Sequence, residues 1–243
     1  MSEPRGEAQK AKSGLVSELV VQGKVLGGFV GLLWLIQIVN AVVFQGALVV
    51  FGIHPRSIAG LLGILFAPFL HAGFAHLIAN TLPLVVLGAF VMLRRKRDLA
   101  YVSLLSAVVG GLGTWLIAPA ASVHVGASIL IFGYLGFLLF RGIFERRLWP
   151  ILGSIAVFFL YGGALFGVLP GQAGISWQGH LFGLLGGILA ARLLRSEPEK
   201  AAAPKPAPAR VARLAGAKAR VATDPDEVDE EIEEELRARR RAR

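Results

Sequence analysis

The chain has 243 residues, of which 55% are hydrophobic and only 17% are charged, and its mean hydropathy is +0.64. Soluble domains carry about 25% charged residues, so this composition excludes an ordinary soluble enzyme and indicates a membrane protein. Cysteine is absent, which excludes a disulfide framework, a thiolate metal site and a cysteine nucleophile.

The net charge of +9 comes entirely from residues 1–195, because residues 196–243 contain as many basic as acidic residues. The excess basic residues lie among apolar segments, where they indicate membrane topology instead of a nucleic-acid surface. We therefore expect no nucleic-acid partner, and we expect lipid to surround the chain.

The first predicted span follows a polar N-terminal segment, residues 1–24, and is the apolar run from Val25 to Val50. A bilayer-crossing helix needs about 20 apolar residues, whereas the apolar core of a secretory signal is shorter. The connection at 51–71 is also apolar, and we expect it to lie partly in the membrane interface.

Further apolar segments predict five more spans, at about 72–93, 99–118, 126–143, 149–168 and 177–195. The predicted fold class is therefore an all-α polytopic membrane protein, with a six-helix membrane domain over residues 25–195. The charged, Ala/Pro-rich tail at 196–243 has a composition that predicts a disordered cytoplasmic segment.

Basic residues follow the second, fourth and sixth spans, whereas Arg56 is the one charged residue in the intervening connections. The basic group has nine members: Arg94, Arg95, Lys96, Arg97, Arg141, Arg146, Arg147, Arg192 and Arg195. Because basic loops stay in the cytoplasm, this asymmetry predicts a multi-pass protein of the cell membrane with both termini cytoplasmic.

Polar residues in three different spans are predicted to lie at one depth. All five histidines (His54, His71, His76, His124 and His180) fall in the outer half of this topology. At about 1.5 Å per residue, Asn80, Ser128 and His180 lie roughly 21, 20 and 18 Å above the basic residues that end their spans. A side chain that is costly to place in lipid marks a functional site, so these residues predict a single polar site.

Acyl transfer is the chemistry that suits such a site. The Ser128 hydroxyl needs a base, for which His180 is the candidate. The Asn80 amide, the His76 imidazole and the Ser128 N–H are candidate donors to an oxyanion. The acidic residues before 196 lie ahead of the spans or at the inner face, so the prediction is a dyad instead of a triad. No carboxylate or thiolate stands near His71 and His76 to complete a metal site, and we expect no metal and no cofactor.

Spans two, four and six carry the motifs His71-x4-His76-x3-Asn80, Gly126-x-Ser128 and His180-x2-Gly183-x3-Gly187, in that order. Together these motifs resemble those of the rhomboid family of intramembrane serine proteases. The resemblance implies a six-helix bundle with a water-filled cavity open to the outside. It implies Ser128 as nucleophile, His180 as general base, and His76 and Asn80 around the oxyanion. It also implies that Phe132 stacks on His180 and that His71 is structural.

Small residues predict close contact between two of these spans. Gly183 and Gly187 form a small-xxx-small face, and Gly133 and Gly136 on the fourth span are its candidate partner surface. The chain departs from the family pattern at Ile129, where Gly is common, and at Pro55-Arg56, where a Trp-Arg pair is frequent. We expect Ile129 to crowd the oxyanion backbone and the second departure to alter how the first loop is seated.

The leading prediction is a serine endopeptidase that cleaves transmembrane substrates near their outer ends. Small, Gly, Pro or polar residues there weaken the substrate helix and expose its peptide bonds. One alternative is an inactive rhomboid-like protein that binds client helices without cleaving them. Another is a small transporter with a polar site at the membrane midplane.

Overall fold

The structure is a computed structural model that describes residues 4–195, together with Arg237 and Arg241. The chain divides into two compact units, Met1–Ser196 and Glu197–Arg243. The tail that we predict to be disordered lies outside the described residues, apart from those two arginines.

The described part of the first unit is helical. Its α-helices are α1 (Pro4–Val42), α2 (Ile58–Phe66), α3 (Phe74–Met92), α4 (Asp98–Ile117), α5 (Ser128–Glu145), α6 (Leu148–Tyr161) and α7 (Trp177–Leu193). Three 3₁₀ segments accompany them, at Ala47–Phe51, Ala67–Phe69 and Gly162–Val168.

Five helical segments in the described part of the chain are long and apolar enough to cross a membrane: Val16–Val42, Phe74–Met92, Asp98–Ile117, Ser128–Glu145 and Leu148–Val168. The sixth predicted span corresponds to α7, whose 17 residues extend about 25 Å. That length is at the lower limit for a membrane-crossing helix. The prediction of an all-α, multi-pass membrane bundle is confirmed.

The first span differs from its predicted bounds. Helix α1 begins at Pro4, inside the polar segment, and ends at Val42, although the apolar run continues to Val50. Gln45 and Gly46 have φ angles of 51° and 89°, a left-handed conformation that does not continue a right-handed helix. The Asn40 side chain accepts a hydrogen bond from the Leu48 N–H at 3.0 Å. Apolar composition alone therefore overextends this helix by about two turns.

The connection from α1 to α3 folds back upon itself and packs against α4. Within it, α2 lies against the preceding loop, because a Cβ on Gly60 would meet the carbonyl of His54 and one on Gly63 that of Gly52. With nine residues, α2 is too short to cross a bilayer. The proposed position of this segment in the membrane interface stays a prediction.

Helix α5 forms the centre of the bundle and packs against α3, α4, α6 and α7. A helix that is apolar on every side is suited to this position. Its contact with α7 is backbone to backbone, which small residues permit. A Cβ would overlap a main-chain carbonyl of the facing helix at each of three positions: Gly183 against Ile129, Gly187 against Gly133, and Gly136 against Leu184.

Buried ion pairs join the ends of α3, α4 and α5 that are opposite to Ser128. Arg94 pairs with Asp98 at 3.0 Å and with Glu145 at 3.3 Å, and Arg141 pairs with Glu145 at 3.1 Å. Glu145 is shared by Arg94 and Arg141, so each of these charges has a partner, and removal of one partner would leave a buried charge uncompensated.

Candidate active site

A cavity of about 480 Å³ collects the predicted polar residues from three helices. His76 and Asn80 reach it from α3, Ser128 and Phe132 from α5, and His180 from α7. Residues far apart in sequence thus line one cavity at one end of the bundle.

Ser128 is the first residue of α5, where main-chain N–H groups have no partner within the helix. Gly126, two residues before Ser128, has a φ of +124°, a backbone conformation that residues with a side chain rarely adopt. A Cβ at Gly126 would lie 2.6 Å from Cε1 and 2.8 Å from Nε2 of His76. Glycine is therefore required here both by the backbone and by the space that the His76 ring occupies.

His180 lies in the first turn of α7, and its ring is held on two sides. Its Nδ1 lies 3.0 Å from the carbonyl oxygen of Gly167; because a carbonyl can only accept, Nδ1 is the donor. In the neutral ring, Nε2 then carries the lone pair and can accept a proton. The Phe132 ring stacks on the imidazole at a centroid distance of 4.0 Å.

Asn80 is buried, and its Nδ2 has no hydrogen-bond partner among the described residues. The atom lies 3.6 Å from the position that a Cβ on Gly126 would take, so the amide is next to the backbone that leads to Ser128. A buried donor without a partner is costly. A developing oxyanion in the cavity would supply the missing acceptor.

His71 lies behind the cavity instead of lining it. It is 1% exposed, its Nε2 accepts a hydrogen bond from the Ala127 N–H at 3.4 Å, and its ring meets that of His76 edge to face at 5.1 Å. Burial, with a smaller contribution from His76, lowers the pKa of His71 to about 4. The ring is therefore neutral at pH 7 and supports the segment just before Ser128.

The two departures from the family pattern have separate outcomes. The buried Ile129 side chain packs in a cluster with Ile53 and Ala67 and does not line the cavity. The start of α5 thus turns this side chain toward the first loop, and the expected effect of Ile129 on the oxyanion backbone stays a prediction. Arg56 donates to the carbonyls of Leu116 and Ala118, at 3.0 and 2.8 Å, and so seats that loop on the end of α4.

Sequence reasoning assigned no role at the site to three residues: Gly167, His124 and Ser176. Gly167 holds the His180 ring, while His124 and Ser176 line the cavity and hydrogen-bond to each other at 2.7 Å. A serine directly before an apolar helix is a recognised N-cap signal, which could have identified Ser176. Nothing in the local sequence indicates the hydrogen-bond partners of Gly167 and His124.

No group of three or more His, Asp or Glu side chains within the described ranges is placed to hold a metal ion.

Comparison with known proteins identifies the family. The family model described as "Rhomboid domain" matches residues 58–197 of this chain. "Uncharacterized protein Rv1337" of Mycobacterium tuberculosis is 45% identical over 199 residues, which cover 79% of this chain and 82% of that protein. "Putative rhomboid protease YdcA" of Bacillus subtilis is 34% identical over 54% of this chain and 66% of its own. "Rhomboid protease GluP" of the same organism is 34% identical over 51% of this chain and 24% of its own.

The chain therefore belongs to the rhomboid family of intramembrane proteases, and it is a multi-pass membrane protein.

Proposed function

We propose that this chain is an active serine endopeptidase that cleaves transmembrane substrates with a Ser128–His180 dyad. The observation that carries the proposal is the orientation of His180. Its Nδ1 donates to Gly167, so its Nε2 is free to act as a base in the cavity that it shares with Ser128.

The reaction proceeds in two halves. Ser128 Oγ attacks the carbonyl carbon of the scissile bond while His180 Nε2 takes its proton, and the C–N bond then breaks as His180 protonates the leaving amine. A water molecule, deprotonated by His180, attacks the carbonyl carbon of the acyl-enzyme; the C–Oγ ester bond then breaks as His180 returns the proton to Ser128 Oγ, which releases the second product as a carboxylic acid. The oxyanion in each half is stabilised by the Asn80 amide, His76 and the Ser128 N–H.

The orientation in the membrane is part of the proposal. The asymmetry of basic residues favours cytoplasmic termini in the cell membrane, which places Ser128 toward the outside. Substrates are then cut near their external ends, where small or helix-breaking residues weaken the helical hydrogen bonds that shield peptide bonds from attack.

The test is cleavage of a generic transmembrane substrate by purified protein in liposomes. Wild type should cut, whereas Ser128→Ala and His180→Ala should each abolish cleavage, and their double variant should lose no more than either alone. Ser57→Ala is the matched control, because the Ser57 side chain makes no capping hydrogen bond and lies outside the cavity. A fluorophosphonate should label wild type and Ser57→Ala but not Ser128→Ala. Substrate capture by wild type without cleavage would instead support the inactive, client-binding alternative.

A further inference from the structure

His124 makes four hydrogen bonds, whose partners lie in three different connections between helices. Its main chain exchanges both N–H···O bonds with Ile53, at 2.9 and 3.1 Å, which fixes its backbone to the first loop. Its ring bonds Ser122 Oγ through Nε2 and Ser176 Oγ through Nδ1, both at 2.7 Å. We call Ser122, His124 and Ser176 the His124 tether.

One proton arrangement satisfies the whole tether. The Ser122 hydroxyl donates to the Pro119 carbonyl, so Ser122 Oγ accepts from His124 Nε2–H. Nδ1 then carries the lone pair and accepts from the Ser176 hydroxyl, whose oxygen in turn accepts the Gly179 N–H at 3.3 Å. Every N–H and O–H is used once, and the ring is neutral. Burial, which lowers the pKa of His124 below its ordinary value of 6.5, favours the same form.

The tether joins the two segments that carry the proposed dyad. His124 lies four residues before Ser128, and Ser176 is the N-cap of α7, four residues before His180. The Ser176 carbonyl also accepts the His180 N–H at 3.0 Å. The position of Ser176 is therefore transmitted directly to the residue that bears the base.

We propose that His124 is a positioning residue of the proposed dyad: through Ser176 it sets where the start of α7, and with it His180, stands relative to Ser128. This proposal rests on the proposed function. The small residues along α5 and α7 fix how closely the helices approach, and the His124 tether fixes the end of α7 where the chemistry occurs.

The expected consequence of losing the tether is a loss of turnover with little change in substrate binding. A misplacement of about 1 Å at a reacting group can lower a rate by about 100-fold. We therefore expect His124→Ala and Ser176→Val to lower kcat by about 10- to 100-fold with KM nearly unchanged. Ser176→Thr keeps the hydroxyl and should retain most of the wild-type activity. Because Thr and Val have the same shape, a difference in kcat between Ser176→Thr and Ser176→Val reports the loss of the hydroxyl alone.

Two controls separate positioning from general stability. His54→Ala removes another loop histidine, whose Nε2 bonds Val50 of its own loop at 2.7 Å, and should retain kcat. The combined variant His124→Ala/Ser176→Val should be no slower than the worse single variant, because both substitutions break the same connection. If His124→Ala fails to fold, the comparison of kcat between Ser176→Thr and Ser176→Val tests the positioning role instead.

A measurement without substrate keeps this proposal distinct from the proposed function. In protein with ¹⁵N-labelled histidine, the His124 ring should give the Nε2–H tautomer, and Ser176→Val should shift the His180 ring signals while Ser176→Thr should not. Wild type that fails to cleave overturns the proposed function alone. Equal kcat in His124→Ala and His54→Ala, additive losses in the double variant, or His180 signals indifferent to Ser176→Val would each overturn the positioning role.

Discussion

The ring of Phe132 lies nearly parallel to the imidazole of His180, with centroids 4.0 Å apart and an interplanar angle of 13°. Phe132 stands one turn after Ser128 on α5, so the helix that bears the proposed nucleophile also supports the proposed base. A Cβ on Gly167 would lie 2.9 Å from Phe132 Cζ and 3.0 Å from His180 Nδ1. The two rings and Gly167 therefore form one packed unit that restricts rotation of the imidazole.

Removal of this stacking should lower turnover. We expect Phe132→Ala to decrease kcat by about 10- to 100-fold, because the imidazole is then free to leave its productive orientation. The measurement is steady-state cleavage in liposomes. Phe140→Ala, on the same helix but outside the cavity, is the control and should affect thermal stability more than kcat. Equal kcat values for the two variants would show that the stacking has no role in catalysis.

Gly126→Ala should damage the site more than a strained backbone alone can explain. Its φ of +124° costs a side chain roughly 1–3 kcal/mol, and its Cβ would also displace the His76 ring. Gly171→Ala is the matched control, with a φ of +95° and nothing within 4 Å. Both variants should melt at lower temperature, and Gly126→Ala should in addition lose cleavage activity. If Gly126→Ala retains the activity of Gly171→Ala, displacement of His76 is not harmful.

The contact between α5 and α7 should not tolerate a methyl group. Gly187→Ala forces a Cβ onto the Gly133 carbonyl, and overpacking of this kind typically costs about 1–3 kcal/mol. We expect a lower melting temperature and reduced turnover. Gly153→Ala adds a methyl group with nothing within 4 Å and should be neutral. Thermal unfolding in detergent gives the melting temperatures of the two variants. Indistinguishable melting temperatures for Gly187→Ala and Gly153→Ala would contradict the close packing of α5 and α7.

His71 should make stability depend on pH. Its pKa falls to about 4 in the folded protein because of burial, whereas an unfolded histidine has a pKa of about 6.5. The unfolded state thus binds more protons between these values, so folded stability is complete above about pH 6.5 and declines as the pH falls toward 4. His71→Asn should show a shallower decline in melting temperature between pH 7 and 4.5. A slope as steep as in wild type would exclude His71 as a cause.

Membrane orientation can be tested with introduced cysteines, since the native chain has none. With cytoplasmic termini, Ala121→Cys in the exposed α4–α5 connection should react with an impermeant maleimide in intact cells. Ser196→Cys should react only after the cells are permeabilised. Reversed labelling would place the dyad near the cytoplasm and overturn the proposed geometry of cleavage.

Most helix positions could be predicted from the sequence. The predicted spans at 72–93 and 99–118 lie within two residues of α3 and α4, because long apolar segments can satisfy their backbone groups in lipid only as helices. The predicted end of the first span is wrong for a local reason: the turn at Gln45 and Gly46 involves only two residues, and the hydropathy of a whole apolar segment is dominated by its other members. Asn80, Ser128 and His180 line one cavity, and their similar distances from the basic ends of their spans had already placed them at one level, since the rise per residue is constant along a helix.

The partners of the site residues were decided by the tertiary structure alone. His180 bonds Gly167 across 13 residues, His124 bonds Ser176 across 52, and Arg56 bonds Ala118 across 62. Hydropathy and spacing describe how each segment partitions between water and lipid, which is a property of the segment itself. A hydrogen-bond partner depends instead on which loops meet once the helices have packed, and here the loops meet because α5 packs on α7 and the α1–α3 connection packs on α4.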